Sequence, residues 1–119
     1  MNPDRSVADA KRKVLLLHEQ GYTQPIQRTN IKVQGRTGLG PLMAGLYGMR
    51  MGNYISDYDQ FIAEKLAYVM CGGDLSQATL VSEQYLLDLE REAFLSLSGQ
   101  RKTLERLQSI LQTGKPLRN

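Results

Sequence analysis

Apolar positions return at helical spacing in five separate stretches of this chain. Near the start, Val7, Ala10, Val14 and Leu17 mark one helical face, with Leu15 and Leu16 widening it. Asp4 or Ser6 is placed to cap this helix, and Gly21 to end it in the left-handed conformation. The stretch from Tyr22 to Thr37 has no helical period, contains Pro25, and offers a short β-prone run, Ile31-Lys32-Val33, so it predicts an extended connector with at most one strand. A second helix is expected from Gly38 or Pro41 to Met51, with Pro41 in the first turn, where no amide partner is needed. Its Ala44, Gly48 and Gly52 fall four apart, which predicts close approach of another backbone, a central position for this helix and strong destabilisation by Gly48→Leu.

Ser56 followed by Asp59 resembles a capping box for a third helix running to about Cys71, with Ile55, Tyr58, Ile62, Leu66 and Val69 inward and Gly72-Gly73 as its stop. Thr79 or Ser82 caps a fourth helix that ends near Ser98, with Leu86, Leu89, Ala93 and Leu97 on one stripe and Phe94 beside it. A fifth is expected from about Gln100 to Thr113, with Leu104, Leu107, Ile110 and Leu111 inward and Gly114 and Pro116 beyond its end. The pattern therefore predicts an all-α fold: a small bundle of about five helices with one extended connector, forming a single domain over residues 1–119.

Composition adds mostly exclusions. The single Cys71 allows no internal disulfide, and neither it nor the single His18 has partners at zinc-site spacing, so a reducing, cytoplasmic setting is expected. No apolar run approaches the roughly 20 residues of a membrane-spanning helix. The net charge of +3 is unevenly spread. Residues 1–36 carry seven Lys/Arg against three Asp/Glu, residues 37–100 three against eight, and residues 101–119 five against one. An acidic centre and the lack of interleaved aromatic and basic residues argue against a nucleic-acid partner.

Catalytic chemistry is thin. The glycines of Gly35-Arg-Thr-Gly-Leu-Gly40 match neither a dinucleotide fingerprint nor a P-loop, so a turn with close helix packing is the stronger reading. Arg28, Lys32 and Arg36 nevertheless lie just before a helix N-terminus, and are the candidate contacts for an anion such as the phosphates of CoA. Asp57 and Asp59 are explained by helix capping, Asp88 and Glu92 by a solvated face, and Glu90 is expected to be partly shielded with Arg91 or a basic residue from another helix as its natural partner. Cys71 reads as a small buried hydrophobe and His18 as a helix-terminal residue.

The phrases KLAYVMCGGDL, VSEQYLLDLEREAFLSLSG and LQTGKPLRN, with GYTQP and IKVQGRTGL upstream, resemble the C-terminal region of bacterial fused 3-hydroxyacyl-CoA dehydrogenase/enoyl-CoA hydratase proteins of fatty-acid β-oxidation. The resemblance covers nearly the whole chain. It implies an excised C-terminal domain that is itself non-catalytic, because the family's dinucleotide turn, its His-Glu pair and its two hydratase glutamates have no counterpart here. It further implies NAD and a CoA thioester as ligands of the parent protein with no cofactor held by this segment, and the remainder of the parent enzyme as partner. The broad leucine stripe of the first helix and the Met-rich second helix predict a homodimer formed through helices. A free-standing helical interaction module with a basic connector for an acidic partner is the alternative.

Overall fold

A computed structural model describes residues 3–119. Five helices and one two-stranded antiparallel ladder follow in the order α1 (Pro3–Glu19), β1 (Ile31–Val33), α2 (Arg36–Met51), α3 (Asp57–Met70), β2 (Thr79–Val81), α4 (Glu83–Ser98) and α5 (Arg101–Thr113). The expected mostly helical architecture is present. The second strand was not anticipated: Thr79, offered as a helix cap, instead pairs with Val33, while Ile31 faces Val81 and Lys32 faces Leu80.

Local rules set most of the helix ends. Ser56 accepts from the Asp59 amide while the Asp59 carboxylate accepts from the Ser56 amide, completing the capping box of α3. Ser82 caps α4 by accepting from the Tyr85 amide at 3.1 Å. At the end of α1, Gly21 is left-handed as expected, and the Tyr22 amide reaches back to the Leu17 carbonyl at 2.9 Å. Asn53 takes the same left-handed role after α2, with Tyr54 donating to Met49.

Two helix starts differ from the expected ones. α1 begins at Pro3, so Asp4 and Ser6 lie inside its first turn and not ahead of it. α2 begins at Arg36 and runs through Pro41, which sits a turn and a half inside. A proline there removes one backbone bond, and the usual steric conflict with the preceding residue's Cβ is absent because that residue is Gly40.

The centre of the fold is α3, not α2. It packs against both α2 and α4, and it contributes the buried Tyr58 and Ala67, followed directly by the buried Cys71. Gly48 and Gly45 of α2 have nothing within 4 Å of where a Cβ would stand, and Ala44 is exposed. Among the described residues no other backbone therefore stands against Gly48, contrary to expectation, and the third member of the register, Gly52, is closed off by the Tyr54 ring, 2.7 Å from where its Cβ would stand.

Tight packing is instead concentrated where β1 meets the loop after α3. Gly35, at φ +60°, donates to the Cys71 carbonyl at 2.9 Å, and a Cβ on it would lie 2.6 Å from the Leu75 carbonyl oxygen. Gly72, at φ +85°, is pressed against Val33, whose Cγ2 would stand 2.5 Å from an added Cβ. The Tyr85 hydroxyl donates to the Gly72 carbonyl at 2.9 Å and ties α4 to the same knot. Val33 and Cys71 fill its interior.

A second tie joins α5 to the start of α3. Arg106 bonds Asp59 at 2.8 Å and the Asn119 side-chain oxygen at 2.8 Å, and its guanidinium lies over the Tyr58 ring at 5.1 Å. Tyr58 and Thr103 share a hydroxyl hydrogen bond of 2.6 Å. Asn119 donates in turn to the Lys102 carbonyl and the Glu105 carboxylate, so the last residues fold back along α5.

Much of the remaining surface is open. Every residue from Arg5 to Asn30 is exposed, and α1 stands away from the body, while the connector is tied back to α4 where Arg28 meets Glu83. The radius of gyration is 19.9 Å, against about 13.5 Å for a compact domain of this length. The accessible surface is 9444 Å², whereas a compact monomer of 13.4 kDa exposes about 6,500 Å². The surplus is roughly 2,900 Å².

Candidate functional site

An almost wholly apolar concavity on the helical body lies between α2 and α3. Leu42, Gly45, Leu46 and Met49 repeat along α2 at helical spacing, and Leu66 and Met70 face them from α3; alanines and Pro41 complete a groove of about 310 Å³. The bare Gly45 leaves its α2 wall without a side chain. No lining residue carries an acidic, basic, hydroxyl, thiol or imidazole side chain. Such a surface can bury apolar area, and it offers no group for acid–base or covalent chemistry.

The basic connector lies along the ladder. The Arg28 backbone exchanges bonds with Glu83: its carbonyl accepts from the Glu83 amide at 2.8 Å, and its amide donates to the Glu83 carboxylate at 3.3 Å. Lys32 occupies the exposed position of β1 opposite Leu80. Arg36 bonds Asp74 at 2.7 Å. That hydrogen bond, reinforced by the opposite charges, holds the Asp74 carboxyl below its ordinary value and raises the guanidinium above its own. Both side chains are well exposed, so salt screens the pair.

The three cations thus follow the returning segment from Glu83 past Leu80 to Asp74 and do not gather at the N-terminus of α2. Two of the first amides there are already engaged, Gly35 by the Cys71 carbonyl and Arg36 by the Leu75 carbonyl at 2.8 Å. The glycines of this turn allow close packing, Gly35 against the backbone at Leu75 and Gln77 and Gly38 against the Gln34 and Cys71 side chains, while Gly40 has open space around it.

Three of the candidate carboxylates have structural partners. Asp57 pairs with Arg50, Asp59 with Arg106 and Asp88 with Arg91. The Ser56 amide and then Arg106 hold the Asp59 carboxyl down to about 2. Glu90, expected to be shielded, is exposed because α4 turns Leu86, Leu89 and Ala93 inward and leaves Glu90 at the margin. Cys71 is a buried free thiol. Among the described residues no cluster of three or more His, Cys, Asp or Glu is arranged to hold a metal ion, and no helix is long and apolar enough to cross a membrane.

The sequence marks the second helix as a Met-rich association surface but does not place the groove between it and α3. The available signal was Gly45, a gap within an otherwise apolar stripe.

Comparison with known proteins adds a context to this geometry. All 119 residues align, at 46% identity, with a probable 3-hydroxyacyl-CoA dehydrogenase of Bacillus subtilis (strain 168), and the chain spans 15% of that protein's length. The chain therefore has a homologue in one segment of a much longer dehydrogenase, in agreement with the dehydrogenase half of the resemblance read from the sequence. No family model matches the chain, and no solved structure matches it.

Proposed function

We propose that this chain is a non-catalytic helical accessory domain of a cytoplasmic, NAD-dependent 3-hydroxyacyl-CoA dehydrogenase of fatty-acid β-oxidation whose polypeptide also carries an enoyl-CoA hydratase part. It docks on the remainder of that enzyme through the groove between α2 and α3 and the exposed leucines of α5, and its basic connector borders the acyl-CoA site. The observation that carries this reading is the pairing of a whole-chain match to 15% of a dehydrogenase with an apolar groove free of reactive side chains. Leu107 and Ile110 of α5 add exposed apolar surface to the same account. NAD and the CoA thioester belong to the larger protein, where Arg28, Lys32 and Arg36 contribute positive charge near the CoA phosphates.

The test is co-expression of this chain with the separately produced remainder of its parent. Stable co-elution is expected, and Met49→Asp with Leu66→Asp should abolish it while leaving the helical spectrum unchanged. Charge reversal of the three basic residues should weaken acyl-CoA affinity of the full-length enzyme at low salt. Absence of any association, or hydration of crotonyl-CoA by the purified chain alone, would overturn the proposal.

A further inference from the structure

Two helix faces that the fold leaves open carry matching patterns. On α1, Val7, Lys11, Val14 and His18 are spaced four, three and four residues apart, and the first three border one continuous apolar surface. On α4, Glu83, Leu87, Glu90 and Phe94 have the same spacing. They lie outside the stripe that packs inward, and Leu87 and Phe94 are 41% and 60% exposed. Laid antiparallel, the two stripes correspond at every step: Val7 with Phe94, Lys11 with Glu90, Val14 with Leu87 and His18 with Glu83.

Charge agrees with shape. The nearby acid of α1, Asp9, is engaged by Arg12 at 2.7 Å, which leaves Lys11 and Lys13 beside the apolar residues. On α4, Arg91 is occupied by Asp88, while Glu90 is exposed; Glu83 accepts one bond from the Arg28 amide. The basic first third and acidic middle of the chain are thereby set against each other along one seam.

We propose that two copies of this chain form a two-fold dimer in which α1 of each copy lies antiparallel along the outer face of α4 of the other. The connector is held to the start of α4 by the Arg28–Glu83 bonds, and the exposed stretch before it, with the left-handed turn at Gly21, leaves α1 uncovered by its own chain and presents it to another molecule. A reciprocal exchange is self-closing, since each copy gives one helix and receives one. The whole chain exposes roughly 2,900 Å² more than a compact monomer, which leaves room for an interface of ~800 Å² per partner beside the groove between α2 and α3. The seam uses neither the groove between α2 and α3 nor any ligand, so it stands or falls independently of the enzymatic reading.

The test uses the 119-residue chain. Sedimentation equilibrium should show a dimer. Lys11→Glu and Glu90→Lys should each weaken it about tenfold, because the two-fold axis repeats every pair twice, and the two together should restore it to within about threefold. Oxidised Val14→Cys/Leu87→Cys should run as a covalent dimer on a denaturing gel, with the buried Cys71 unreacted. A monomer at high concentration, a dimer indifferent to both charge reversals, or a crosslink formed only within one chain would overturn the proposal; the last would mean that α1 folds back on its own α4.

Discussion

The arm and the knot are made by opposite means. From Arg5 to Asn30 every residue is exposed, although the apolar stripe of α1 is one of the most regular in the sequence. Around Val33, Gly35, Cys71 and Gly72 the sequence has little periodicity, yet two distant chain segments, one at the end of β1 and one in the loop after α3, are in van der Waals or hydrogen-bonded contact. A helical stripe states that a helix needs cover and is silent about its source. Glycine at positive φ against another backbone states that the neighbour is already there.

The largest effects should therefore come from the knot. Gly35→Ala and Gly72→Ala each force a Cβ into occupied space at a left-handed position, and each should cost about 3 kcal/mol in urea unfolding. A loss below about 1 kcal/mol would show that the loop after α3 yields easily.

The Arg106 tie comes next, and it has a pH signature. Folding lowers the Asp59 pKa from 3.8 to about 2. The group therefore contributes stability that is fully present above the unfolded value and is lost as pH falls toward the folded one. With Asp59 and Arg106 only 20% and 18% exposed, the contribution is on the order of 1 to 2 kcal/mol. Asp59→Asn should remove that portion of the acid-induced loss between about pH 4 and pH 2; an unchanged profile would mean that the carboxylate is equally well solvated when unfolded.

Gly48→Ala should raise stability by up to about 1 kcal/mol, since the position is helical and nothing stands within 4 Å of the new methyl group. This reverses the expectation drawn from the small-residue register. Smallest of all, Leu16→Ser on the arm should change the unfolding free energy by less than about 0.5 kcal/mol. A larger loss would place Leu16 under cover and blur the contrast between arm and knot.

What was legible in the sequence was what is local. The Ser56 and Asp59 box, the Gly21 and Gly114 stops and the five apolar periods each involve residues within a turn or two of one another. The β2 strand was not legible, because three residues carry no period of their own and their partners lie 46 or more positions earlier, as in Val33 and Thr79. The clasp of Asn119 on Arg106 joins a tail to a helix by tertiary contact alone. Ala44, Gly48 and Gly52 misled because small side chains permit a close neighbour without requiring one. The candidate cations were recognisable as basic residues ahead of a helix, but their distribution along the ladder follows from a pairing that the sequence did not reveal.

The ladder also sets an order of events during folding. The α2–α3 and α4–α5 hairpins join neighbours through short turns and can form within microseconds. Pairing Val33 with Thr79 must instead close a loop that contains both α2 and α3, at an entropic penalty that grows with the logarithm of loop length. If that loop is first shortened by the helical hairpin inside it, the strands meet late, and the glycine contacts that depend on them form on the native side of the rate-limiting barrier.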